Sequence, residues 1–98
     1  MMENFMEISE RIEHELEDAQ GYAMLAAKHK VGNPALAELY AQSGSNCLDS
    51  AKRMQSMMVK WGNMPEQAGH MTAYQMEYKK TARKMAEIKV QMDEVQRQ

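Results

Sequence analysis

The sequence predicts an all-α protein, an up-down-up bundle of three long antiparallel helices, and three observations predict it. Two punctuation marks, Val31-Gly32-Asn33-Pro34 and Trp61-Gly62-Asn63-Met64-Pro65, cut the 98 residues into three segments. Each segment carries a seven-residue apolar repeat, the pattern of helices packed side by side at a shallow angle. Nowhere does the period-two alternation of a strand compete with it.

The first helix is expected over residues 3–30, with Phe5, Ile8, Ile12, Glu15, Ala19, Tyr22 and Ala26 along its seam. At its end, Gly32 is expected to take the left-handed position that closes a helix, Asn33 to cap the next, and Pro34 to occupy a first turn where its missing N–H costs nothing. The second helix is expected over 34–61, with Leu36, Tyr40, Ser43, Cys47, Ser50, Met54, Met57 and Trp61 as its seam. Gly62 and Asn63 repeat the stop-and-start signal, and Glu66, three residues after Asn63, adds a capping box. The third helix is expected over 65–96, with Met71, Tyr74, Tyr78, Thr81, Met85, Ile88, Met92 and Val95 facing inward. Helices of about 28 residues are about 40 Å long, and short connections make neighbours antiparallel.

Length and composition narrow the function classes. Ninety-eight residues make one domain, 1–98, too short for a separate catalytic module. Twelve basic against 14 acidic residues leave a net charge of −2, which offers no bulk attraction to DNA or RNA. The basic run Lys79, Lys80, Arg83, Lys84, Lys89 lacks the interleaved aromatics of a nucleic-acid surface and reads as a solvated face pairing with the acidic first helix. No apolar run approaches the roughly 20 residues that span a bilayer, Glu3, Glu7 and Glu10 interrupt any signal peptide, and one cysteine closes no disulfide within the chain. The expectation is a cytoplasmic protein without nucleic-acid or membrane partners. Trp61-Gly62 also differs from the turn of secreted helical hairpins, where one residue separates the two, and two breaks imply three helices rather than a hairpin.

Apolar residues remain off the seams, among them Met6, Leu16, Met24, Leu25, Leu39, Leu48, Met58, Met76 and Val90, and a slender bundle cannot bury them all. Self-association, as a dimer, is expected to complete the bundle. Twelve methionines beside one phenylalanine and one tryptophan point to loosely specified packing.

Candidate chemistry lies where the seams turn polar. Glu15 falls at a core position, and a buried carboxylate must be paired, neutralised or bound to metal. Folding the segments back at tight turns puts Glu15 level with Asp49, Asp18 level with Asn46, and Asp49 level with Glu77. Glu15, Asp49 and Glu77, with Asp18 and His14 nearby, are therefore the candidate metal ligands, and oxygen donors suit a harder cation such as manganese, magnesium or calcium, with iron the further candidate. The competing expectation is inter-helix pairing with Arg53, Lys80 or Tyr78, without any cofactor. No catalytic residue stands out. His14 and Asp18 share a face at i, i+4; His29 complements the helix dipole in a last turn; His70 has no ligand-like neighbour; and Cys47 reads as a structural thiol.

Glu15 followed by Tyr22, within Glu15-Leu16-Glu17-Asp18-Ala19-Gln20-Gly21-Tyr22-Ala23-Met24-Leu25-Ala26, resembles the first-helix glutamate and tyrosine of the ferritin-like superfamily, especially small rubrerythrin-like proteins of bacteria and their phages. Asn33-Pro34-Ala35-Leu36-Ala37-Glu38-Leu39-Tyr40 is similar to that family's turn into its second helix. The resemblance implies a ferritin-like bundle, a di-iron site and a phage or prophage setting. The family's second-helix Glu-x-x-His is matched here by Asn46-Cys47-Leu48-Asp49, and its further glutamate by Glu77, with no histidine in Gln75-Met76-Glu77-Tyr78. On that comparison the chain is a ferritin-like scaffold with a structural or protein-interaction role, whose metal centre has been lost or remodelled.

Overall fold

The computed structural model describes residues 2–62, 69 and 71–96 of the chain. Three helices account for nearly all of them: α1 Met2–His29, α2 Pro34–Gly62 and α3 Met71–Gln96, with no strand among the described residues. Together they form a rod of 53 × 18 × 14 Å. The expected capping box of Asn63 and Glu66, and the expected start of the third helix at Pro65, lie outside the described residues.

The α1–α2 turn follows its capping chemistry at one end only. Asn33 Oδ1 accepts the N–H of Leu36 at 3.2 Å and the Asn33 carbonyl accepts that of Ala37 at 3.0 Å, so Asn33 is the N-cap and Pro34 sits at the first helical position. Gly32 does not take the expected left-handed conformation, since no described glycine has a positive φ. The Asn33 N–H instead reaches the His29 carbonyl at 2.8 Å, so an ordinary four-residue hydrogen bond closes α1 and no left-handed cap is needed.

The core departs from the expected seams in a consistent way. On α1 it runs Phe5, Ile8, Ile12, Leu16, Ala19, Ala23 and Ala26, so Leu16 and Ala23 replace Glu15 and Tyr22, which are half-buried beside it. A four-residue step from Ile12 to Leu16 keeps the carboxylate out of the apolar interior, where its desolvation would go uncompensated. On α2 the buried line is Ala37, Ala41, Gly44, Leu48, Ala51 and Met58, one residue along from the expected seam throughout. Small side chains face α1 there and let the two helices pack most closely of the three pairs, while Tyr40, Cys47, Met54 and Trp61 flank the contact. On α3, Tyr74, Thr81, Met85, Ile88 and Met92 are buried as expected, and Tyr78 is not. Leu16, Leu48 and Met58 thus belong to the core after all, whereas Met6, Met24, Leu39, Met76 and Val90 are exposed.

Two sets of contacts set the levels along the rod. Ser9 bonds Glu77, Lys80 bonds Glu13, and Lys30 Nζ bonds the Glu94 carbonyl, at sequence separations of 68, 67 and 64, so α1 and α3 run parallel. Phe5 and Tyr74, with ring centroids 4.4 Å apart, close one end of that pair. Between α2 and α3, Gln55 Nε2 donates to the Thr81 hydroxyl at 2.8 Å. Thr81, buried to 1% exposure, donates in turn to the Glu77 carbonyl at 3.0 Å, so its hydroxyl is fully served within the core. Further along, Gly44 meets Met92: a Cβ on Gly44 would collide with that methionine's methyl group and lie 3.2 Å from Tyr22 Cβ.

Candidate functional site

The candidate ligands start from helices that hold them at different heights. Glu15 sits on α1 beside the buried line, half-buried, facing Cys47 of α2. Burial pushes the Cys47 thiol above its ordinary pKa; the Glu15 charge, the hydrogen bond the thiol gives Glu15 and the Asp18 charge push it further. Cys47 is a free cysteine whose surroundings keep it protonated, the opposite of what a nucleophile or a thiolate ligand requires.

Glu77 is elsewhere. Its Oε1 accepts the Ser9 hydroxyl at 2.6 Å, and Ser9 lies six residues before Glu15, about 9 Å along the α1 axis. Asp49, Asp18 and His14 are exposed. The structure therefore brings Glu15 to Cys47, with Asp18 near enough to act on the thiol, but does not gather Glu15, Asp49 and Glu77 on one cross-section. The reason is register. The tight second turn that made Asp49 level with Glu77 is not what α3 follows: the Gln55–Thr81 and Gly44–Met92 contacts put α3 about ten residues out from that alignment, or roughly 15 Å. Among the described residues no three His, Cys, Asp or Glu side chains come close enough to hold a metal ion. The donors present do not fit a di-iron pair, which needs bridging carboxylates and imidazoles converging from facing helices.

The expected partners are also redistributed. Lys80 pairs with Glu13 at 2.5 Å, and its pKa is raised by that hydrogen bond first, then by the charges of Glu13 and Glu77. Arg53 donates to its own helix neighbour Ser50 at 3.3 Å. The Gln55–Thr81 clamp has no motif in the sequence, although a threonine inside an otherwise apolar seam is the sort of residue that demands a partner.

At the closed end of the α1–α2 hairpin, Tyr40 stacks between two α1 side chains one heptad apart, Tyr22 at 6.2 Å and His29 at 5.9 Å between centroids. A groove of about 310 Å³ opens between α1 and α3 along Met24, Ala27, Gln91 and Glu94. No described helix is long and apolar enough to cross a membrane. Comparison with protein-family models, with curated protein sequences and with solved structures gives no match, so the arrangement of these side chains is what any functional reading rests on.

Proposed function

We propose that this chain is a ferritin-like helical scaffold with a structural or protein-interaction role in the cytoplasm, which self-associates and has no working di-iron centre. The observation that carries the reading is the surface: Met6, Met24, Leu39, Met57, Met76 and Val90 are each roughly half or more exposed on a rod only three helices thick. A monomeric surface that leaves so many large apolar side chains in water favours a covering partner. The resemblance of Glu15 and Tyr22 to the ferritin-like first helix supports the scaffold and the phage or prophage setting. The changed tetrad Asn46-Cys47-Leu48-Asp49 supports a lost centre.

Purification without a histidine tag, followed by molar mass in solution and an assay of bound metal, tests this. A dimer or larger assembly without stoichiometric metal is the expected result. A monomer would sink the scaffold reading. Stoichiometric manganese, iron or magnesium, lost on Glu15→Ala, would replace it with a remodelled carboxylate metal protein using Glu15 and its acidic neighbours.

A further inference from the structure

We propose that the outer face shared by α1 and α3 docks a second copy of this chain, the two rods lying side by side and pointing the same way about a twofold axis along their length. The proposal rests on the self-association argued above and names the surface and symmetry that would produce it.

Four of the exposed apolar side chains lie on this one face. On α1 the residues Met6, Glu10, Glu13, Glu17 and Met24 follow one helical stride, with Met24 lining the groove against α3, and on α3 the residues Met76, Lys80, Arg83, Glu87 and Val90 follow another. The Glu13–Lys80 ion pair fixes both strides to the same side of the rod. Met6 is 58% exposed, Met24 67%, Met76 67% and Val90 56%. Because α1 and α3 run parallel with an offset of 67 to 68 residues, Met6 lies within about one turn of the level of Met76, and Met24 within one turn of Val90. Apolar pairs therefore mark two heights, and the charged residues fill the stretch between them.

The charges choose the occupant. Glu10, Glu13 and Glu17 make a stretch of α1 acidic where Lys80 and Arg83 make the adjoining stretch of α3 basic, at matching heights, with Glu87 one turn beyond Arg83. A twofold axis along the rod sets α1 of one copy against α3 of the other without changing height, so Glu17 meets Arg83 of the second copy, Met6 meets Met76, and Met24 meets Val90. A twofold axis across the rod would set α1 on α1 and acid on acid, which electrostatic complementarity disfavours.

The test measures the dimerisation constant of the full chain by sedimentation at low salt, with circular dichroism to verify that each variant is folded. Arg83→Glu and Glu17→Arg each weaken the dimer by about tenfold or more, and the double variant recovers most of the loss because both symmetric contacts are restored with reversed sign. Met24→Asp weakens it with no charge partner to rescue it. A dimer indifferent to all these changes overturns the proposal while leaving self-association standing, and points to the Leu39–Met57 side of α2 instead. Failure of the double variant to recover overturns the stated symmetry. A monomeric wild-type chain overturns this proposal and the scaffold reading together, leaving the face to a different protein.

Discussion

Two glycines in this chain have opposite surroundings, and the contrast shows how a single side chain decides packing. Gly44 is buried where α1, α2 and α3 meet, and any Cβ there must displace Met92 and press on Tyr22. Gly21 lies exposed in α1 with nothing within 4 Å of such a Cβ. Gly21→Ala should therefore stabilise the fold by about 0.5–1 kcal/mol through helix propensity. Gly44→Ala gains the same propensity but overpacks the core, at a cost of about 1–3 kcal/mol, so its net effect should be neutral to destabilising. Urea unfolding of both variants checks this; equal stabilisation would mean the three helices do not converge on Gly44. Cys47 offers a second residue-level outcome. Its raised pKa means the folded state holds the thiol proton more tightly than the unfolded chain does, so this contribution to stability is complete below the unfolded thiol's pKa and is lost as pH rises through the folded value. At pH 8, alkylation of native Cys47 should run several-fold slower than that of the unfolded chain, and Glu15→Gln should speed it by removing a charge that opposes the thiolate.

Among the elements, α3 is the one that sequence reading located well in pattern and badly in height. Its buried line was legible because Tyr74, Met85, Ile88 and Met92 are large and regularly spaced. The α2 line was not, because large residues such as Tyr40, Met54 and Trp61 drew the seam toward themselves, whereas close packing against α1 uses Ala37, Ala41, Gly44 and Ala51. Residue size marks how much area a side chain can bury, and a close helix pair selects for the reverse. The height of α3 was illegible for another reason: heptads repeat every seven residues, so the pattern fits equally well after sliding by one repeat or more, and only specific polar contacts remove that freedom. Ser9–Glu77 and Gln55–Thr81 are such contacts. The candidate metal ligands do not gather partly for that reason, since Glu15 and Glu77 are both half-buried but at different heights, and partly because Asp49, Asp18 and His14 face outward. Thr81→Val keeps the shape of the buried side chain and removes the acceptor for Gln55. It should cost about 1 kcal/mol in chemical denaturation, and Gln55→Ala added to it should cost little more, because the two share one interaction.

At the scale of the molecule, the three helices among the described residues have a consequence of their own. An odd count of alternating segments carries the polypeptide from one pole of the rod to the other, as the parallel pairing of Phe5 with Tyr74 and of Lys30 with Glu94 records. Fluorophores attached near residue 5 and near residue 96 should accordingly report a separation of about 35 Å, since Phe5 is level with Tyr74 and α3 runs on from there to Gln96, where a two- or four-helix arrangement of the same chain would bring them together. Energy transfer efficient enough to indicate half that distance would contradict the topology. Two cargoes fused to opposite extremities would then be kept apart by a strut of set span, so the chain is mechanically suited to be a ruler as much as a glue.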